Sequence, residues 1–299
     1  MSDPLWFMED GAQRVAVRYR CQSIVYSGRT RFAKVDIVDT EEYGRMLFLD
    51  GIAQSAQQDE FIYHESLVHP PMLLHPNPTS VCIIGGAEGA TIREVAKYRQ
   101  VHQIVMVDID EELVDICRQY LSDWNDSAFE DPRLELNFAD GRKFLEETDY
   151  TFDVIIVDLN DPTEDSPAVF LFTREFYQLI VSRLSTAGVG CFQGTDLQPT
   201  KLTLHARMFN TLSSVFRWVV AYPYMMPSFH EVHSLILASK TLDVQNIDLG
   251  ERLRLQEFRL QYLSPAFLNC LFIVPAYVEE AYQKHTELIT DANPTLYNS

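Results

Sequence analysis

The chain has 299 residues, enough for one large domain or for a medium domain with a small companion. Hydrophobic content of 46%, with 12% aromatic residues, supports a packed core and excludes a disordered chain. Forty-three acids against 24 Lys and Arg leave a net charge of −19, which argues against a nucleic-acid partner and suits a cationic small substrate drawn into an acidic cleft. The amino terminus lacks a basic stretch followed by an apolar run, and no run of 18 apolar residues occurs, so neither a signal peptide nor a membrane span is expected. The five cysteines (Cys21, Cys82, Cys117, Cys191, Cys270) are scattered, odd in number and without a CxxC pair. They are expected to be reduced residues of a cytoplasmic protein, with no disulfide framework and no metal site.

Residues 13–58 read as β structure: short alternating runs at 14–20, 22–26, 33–38 and 46–49 are separated by Ser27-Gly28, Thr40–Gly44 and Asp50-Gly51. Such a meander is too small for a substantial core of its own, so it is expected to pack on the main domain or on a second subunit. Asp59–His75 has helical spacing with an acidic first turn, and Pro70-Pro71 is expected to kink or split it. His75-Pro-Asn-Pro78 then breaks the chain, giving expected segments of 1–58 (β domain), 59–78 (linking helix and turn) and 79–299 (catalytic domain). Beyond Val81 strands and helices alternate, with strands expected at 81–84, 103–108, 134–138, 153–158, 188–193, 217–222 and 234–238. Helices are expected at 89–98, 111–121, 141–147, 173–184 and 200–214, with two more near 248–259 and 276–288. The fold class that follows is α/β: a doubly wound, mostly parallel Rossmann-like sheet of the methyltransferase type with a small N-terminal β domain.

The stretch Val81–Asp110 organises this domain. An apolar strand, Val81–Ile84, stops at Gly85-Gly86-Ala87-Glu88-Gly89, where glycines permit a tight turn and close approach of a ligand to the backbone. A helix and a second apolar run follow, ending at Asp108, placed to take the hydroxyls of a ribose. Glu88 would repel a pyrophosphate inside that turn, whereas an adenosine joined to a sulfonium and an amine would suit it; its plainer reading is as a cap of the following helix. Four acidic groups fall at expected strand ends: Glu88, Asp108, Asp140-Gly141 and Asp158-Leu-Asn-Asp161-Pro162. Strand ends of an open α/β sheet share one crevice, so these carboxylates are expected to converge.

With these motifs in order, the sequence resembles the polyamine aminopropyltransferases, the spermidine, spermine and thermospermine synthases, from about Thr30 to Ala281. The resemblance rests on YGRMLFLDGIAQSAQQDEFIYHE (Tyr43–Glu65), HPNP, GGAEGATIREV, VMVDIDEELV, ADGRKFL, FDVIIVDLNDP, LFTREFYQL, MPSF (Met226–Phe229) and YLSPAF (Tyr262–Phe267). The YHE, VDID and DLNDP forms, with MPSF and YLSPAF, look most like the thermospermine-synthase branch. The resemblance implies that decarboxylated S-adenosylmethionine serves as co-substrate, with no further cofactor, and that a primary amine (putrescine, agmatine or spermidine) displaces 5′-methylthioadenosine. It implies Asp158 as the catalytic carboxylate and Tyr63 as the residue positioning the attacking nitrogen. Asp161 and His64 are implied on the amine side, and Gln54, Gly85, Gly86, Glu88, Asp108, Asp140, Gly141 and Pro162 around the donor. A homodimer or homotetramer is implied as well.

The sequence departs from the family pattern at Ala87, where a third glycine is usual, and at Ala33, where a glutamine is usual. It departs also in the loop Thr163–Phe170, at His230-Glu231-Val-His233 and at Gly194-Thr-Asp-Leu-Gln198, mostly where the acceptor amine would bind. Two other readings are an S-adenosylmethionine-dependent methyltransferase on the same fold and a non-catalytic polyamine-binding homologue.

Overall fold

A computed structural model describes residues 5–9, 16–162 and 167–296. The N-terminal part is a five-stranded antiparallel meander of β1 (Leu5–Glu9), β2 (Val17–Arg29), β3 (Lys34–Thr40), β4 (Gly44–Leu49) and β5 (Ile52–Ala56), each paired with the next. Two runs expected on either side of Cys21 are one 13-residue strand, β2, because a register shift against β3 absorbs the irregularity without a turn. Arg14 and Val15, with which the first run was expected to open, lie outside the described residues, and strands β1 and β5 were not foreseen.

The larger part begins with helix α1 (Glu60–Leu74). It alternates thereafter through β6 (Ser80–Gly85), α2 (Ala90–Ala96), β7 (Gln103–Asp108), α3 (Glu111–Tyr120), α4 (Ser122–Asn125), β8 (Leu134–Phe138), α5 (Gly141–Glu147), β9 (Phe152–Asp158), α6 (Arg174–Arg183), β10 (Leu184–Asp196), α7 (Leu202–Ser213), β11 (Trp218–Met225) and β12 (Val232–Ser239). Three short helices, α8 (Leu249–Arg254), α9 (Pro265–Leu268) and α10 (Ala276–Lys284), close the chain; α8 and α10 are shorter than their expected spans. The seven strands order as β11-β12-β10-β9-β6-β7-β8, with β10, β9, β6, β7 and β8 parallel and β12 antiparallel to both neighbours. Chain order therefore reverses at β6 and β9, which is where such sheets open a crevice beyond their strand ends. Apolar side chains fill both faces, Val81, Ile83, Ile104 and Ile156 toward α1 and α2, and Cys82, Ile84, Ile155 and Phe192 toward α6 and α7.

Helix α1 runs on as one helix through Pro70 and Pro71, so the chain is not split there. Proline at 70 removes the donor for the carbonyl four residues earlier, that of Ser66. The Tyr222 hydroxyl, from β11, donates to that carbonyl at 2.8 Å and restores the missing bond. Nearly every residue of the helix from His64 to Leu74 is buried, so packing on all sides keeps it straight enough to continue. The meander is tied to this frame through Ser228, whose backbone N–H and hydroxyl donate to the Asp59 carboxylate at 2.8 and 2.9 Å, while the Tyr19 hydroxyl lies 2.9 Å from the Ser228 carbonyl. Replacing Tyr222 by Phe should leave the Ser66 carbonyl buried without a partner and lower the unfolding free energy by about 1–3 kcal/mol, measured by denaturant titration with an unchanged m-value.

Candidate active site

The crevice is built where β6 and β9 part. Gly85 pairs with Asp158, and a Cβ on Gly85 would lie 2.0 Å from the Asp158 carbonyl oxygen. Gly85, Gly86 and Gly89 all adopt positive φ, which glycine alone adopts without strain. Ala87 does not, and its methyl packs in the core beside Ala90 and Ile92, so the departure from a third glycine costs the turn nothing. Ala33 is likewise buried, its backbone closing a turn on Thr30, whose hydroxyl donates to Asp110 at 2.5 Å.

Asp158, at the end of β9, is held from two helices. The Tyr63 hydroxyl of α1 donates to its Oδ1 at 2.5 Å and the Thr91 hydroxyl of α2 to its Oδ2 at 2.7 Å. Thr91 was not foreseen; its signal is a hydroxyl two residues past the last glycine of the turn, at a helix start facing the neighbouring strand. Burial, then the Asp158 charge, pushes the Tyr63 phenol well above its ordinary value, so it stays a donor. Its ring packs against His64 and Tyr224.

Glu88 does not cap α2. Its Oε2 accepts from Ser55 Oγ of β5 at 2.5 Å and from Trp124 Nε1 of α4 at 3.1 Å. Burial raises its pKa, partly opposed by the charge of His64. His64, expected to touch substrate, sits with Nδ1 at 2.7 Å from Glu60 Oε2. Arg93 grips both oxygens of Glu60 at 2.9 and 3.0 Å. Burial would lower the imidazole pKa of His64, but the bond and charge of Glu60 outweigh it and hold it above its usual value; Glu88 and Asp158 add to that. Neither Glu60 nor Arg93 announces this in sequence, because the contact joins helices 33 residues apart.

Asp108, at the end of β7, is buried, which raises its carboxyl to about 7 despite acceptance from the backbone N–H of Asp110 at 2.9 Å. Asp161 is raised to about 7 by burial, with Gln193 Nε2 donating to its Oδ1 at 3.0 Å. Asp140 caps α5 through the N–H of Lys143, and Gly141 is required because a Cβ there would meet Ile84 Cγ2 at 2.5 Å. The Gln54 amide donates to the carbonyl of Ile52 in its own strand, and Pro162 is buried. The direct contacts thus join Tyr63, Thr91 and Asp158, with His64, Glu88 and Asp108 within electrostatic reach and Asp161 linked to Asp158 through Tyr224, on which both acids act. Among the described residues, Gln54, Asp140, Gly141 and Pro162 share no hydrogen bond with them. Of the loop Thr163–Phe170, residues 163–166 lie outside the described residues. Among the described residues no group of His, Cys, Asp and Glu is arranged to hold a metal ion, and no helix is long and apolar enough to cross a membrane.

The spermine/spermidine synthase domain model matches residues 60–248 and the spermidine synthase tetramerisation domain model matches residues 5–57. A Pseudomonas aeruginosa protein named polyamine aminopropyltransferase 2 is 43% identical over 86% of this chain and 75% of its own length. A thermospermine synthase of Arabidopsis thaliana is 35% identical over 96% of this chain and 86% of its own. Among solved structures, the spermidine synthase of Thermotoga maritima superposes with a TM-score of 0.85 at 30% identity, covering 94% of this chain and 96% of that one. A spermidine synthase in complex with the transition-state analogue AdoDATO superposes at 0.87 and 32%, covering 94% and 97%.

The raised pKa of Asp108 sets a pH dependence. Between about 4, the ordinary value of an unfolded Asp, and about 7 the folded chain holds a proton that the unfolded chain has released, so this group's contribution to stability falls as pH rises through that window. Replacing Asp108 by Asn should therefore gain in unfolding free energy relative to the parent between pH 5 and pH 8, by up to about 2.5 kcal/mol. Chemical denaturation at both pH values checks this; a constant difference would contradict it.

Proposed function

The chain belongs to the spermine/spermidine synthase family, and we propose that it moves the aminopropyl group of decarboxylated S-adenosylmethionine to a polyamine, releasing 5′-methylthioadenosine. The observation that carries this reading is the Asp158 carboxylate, gripped by Tyr63 and Thr91, with its charge acting on Glu88 and Asp108. An amine attacks the carbon beside a sulfonium only through its lone pair. In the transfer an N–C bond forms, the C–S bond breaks, the sulfonium leaves as a neutral thioether and the nitrogen sheds a proton. Asp158 takes that proton: its two hydroxyl donors fix the carboxylate and still leave it acceptor capacity. Tyr63 stays protonated, so it orients Asp158 and the incoming nitrogen and does not act as the base. In this reading Asp108 meets the ribose hydroxyls, Glu88 the donor's aminopropyl amine, and Gln54, Gly85, Gly86, Asp140, Gly141 and Pro162 surround the rest of the donor. Asp161 and His64 form the acceptor side.

The acceptor we propose is putrescine, agmatine or spermidine, with net negative charge at the crevice drawing in the cation. A methyltransferase would have to seat a donor carboxylate in the same negative surroundings of Glu88, which like-charge repulsion opposes. A non-catalytic homologue would have no need of the Tyr63–Asp158–Thr91 arrangement. We further propose a division into residues 1–58, 59–78 and 79–299, a homodimer or homotetramer formed through the meander, where Leu5, Trp6 and Met8 are exposed, and a cytoplasmic setting, in keeping with buried free Cys21, Cys82, Cys117 and Cys191.

Incubation with decarboxylated S-adenosylmethionine and each of the three amines in turn should yield 5′-methylthioadenosine, and absence of this product with all three would refute the reading. Asp158→Asn should lower kcat by roughly 10²–10⁴-fold, since it removes the proton acceptor, while circular dichroism stays that of the parent.

A further inference from the structure

We propose that Gln193 is a positioning residue for the acceptor amine: a bulge in β10 locks its side-chain amide so that it donates to Asp161 and presents that side chain as a carboxylate. The proposal deepens the reading above and rests on it. The pairing of β10 with β12 slips between Gln193 and Asp196, and within the slip Thr195 holds φ at +64°. A β-branched residue is strained in that region, so the surroundings must impose it. They do so through buried carbonyls. His205 Nδ1 lies 2.7 Å from the Gly194 carbonyl, which can only accept, so Nδ1 carries the proton and donates, leaving Nε2 of the neutral ring to accept from the Tyr282 hydroxyl at 2.9 Å. Ser234 Oγ lies 2.8 and 3.1 Å from the carbonyls of Gly194 and Thr195. A Cβ on Gly194 would reach Ser234 Oγ at 2.7 Å, so glycine is needed there.

The strained turn aims the Thr195 N–H back at Gln193 Oε1, at 3.2 Å. A backbone N–H can only donate, so this bond decides which end of the Gln193 amide is oxygen. Nε2 is left facing Asp161 Oδ1 at 3.0 Å, and it too can only donate. A flip of the amide would break both bonds. The groups that reach Asp161 electrostatically come from several elements: Asp196 at the end of β10, Glu231 ahead of β12, Lys201 ahead of α7 and the Tyr224 phenol of β11. Burial and the two acids favour the protonated form; Gln193 and Lys201 oppose them. Gln193 is thus the neutral group that keeps Asp161 available as an anion near neutral pH.

The test measures spermidine affinity by calorimetry with 5′-methylthioadenosine present, across pH 6 to 9, for the parent, Gln193→Leu and Gln193→Glu. The parent should bind more tightly as pH rises through about 7, where Asp161 ionises. In Gln193→Leu that rise should move to higher pH by about half a unit or more, with affinity at pH 7 weaker by about tenfold, as loss of a charge-assisted hydrogen bond implies, and near-parental binding recovered at pH 9. A merely structural role would weaken binding equally at every pH. Gln193→Glu keeps an acceptor for Thr195 and should move the rise further still; it carries the test should the leucine variant fail to fold. A folded variant with an unmoved pH dependence and affinity within about twofold of the parent overturns the role of Gln193 alone. Failure of the parent to bind spermidine overturns the acceptor reading on which the role rests.

Discussion

The close approach of Gly85 to the Asp158 carbonyl is the constraint from which the site follows. At the positive φ with which the chain leaves β6, a Cβ at 85 would overlap the Asp158 carbonyl oxygen of the neighbouring strand. With that contact made, the Gly86 N–H donates to the same carbonyl at 3.2 Å, and the turn that follows carries Glu88 and Thr91 over the end of β9. Helix α1 then brings Tyr63 from the other side. The carboxylate of Asp158 is therefore fixed by backbone packing first and by hydroxyl donors second, which is how a reactive group is held on rigid elements at little entropic cost.

Much of this was legible in the sequence because it is local. Apolar runs that stop at an acid mark strand ends, and the topology rule places such ends together; Asp108, Asp140 and Asp158 were read that way and stand at the ends of β7, β8 and β9. The tight turn at Gly85-Gly86 was legible for the same reason, although the glycines were read as making room for a ligand and not for the carbonyl of the neighbouring strand. What stayed hidden depends on contacts that cross the fold. The double proline predicts a break in α1, yet of the two carbonyls it deprives of a donor, that of Ser66 is satisfied by a hydroxyl 156 residues further on. Ser55 and Trp124 reach Glu88 from a meander strand and a short helix, neither of which carries a signal for that meeting. Gln193 lies in an apolar strand, and only the bulge after it, with a threonine in a conformation no propensity scale would assign it, turns its amide toward Asp161.

The meander, too small to hold a core alone, gains stability where Ser228 bridges it to the start of α1. Asp59 accepts both the N–H and the hydroxyl of Ser228, and burial nonetheless raises its pKa. This junction lies four residues before Tyr63 in sequence. The geometry of the phenol at Asp158 is thereby tied to the docking of the N-terminal sheet, and the segment Met226–Phe229 contributes structure to the site without supplying a reacting group.

The buried acids sort into two sets by the sign of what happens to them. Glu60 lies against Arg93 and His64, and Glu94 against Arg93, Lys97 and a hydrogen bond with His69, and these partners outweigh burial and hold both carboxyls below their ordinary range. Asp131 and Asp291 are likewise held down, by Arg133 and Arg142. These are closed accounts of charge that hold helices and loops in place. Glu88, Asp108 and Asp161 are raised, since burial exceeds what neighbouring donors return. Asp59 is raised in the same way although Ser228 satisfies it, so the rise alone does not single out these acids. What Glu88 and Asp108 share is the neighbouring charge of Asp158, a repulsion that a ligand bearing a sulfonium and protonated amines would relieve on binding. The boundary between the two sets runs along α1, where His64 turns one nitrogen to Glu60 on the closed side while its charge acts on Glu88 and Asp158 on the open one. The charge of His64 thus opposes the rise that burial and Asp158 produce at Glu88, so one side chain of α1 links the two sets.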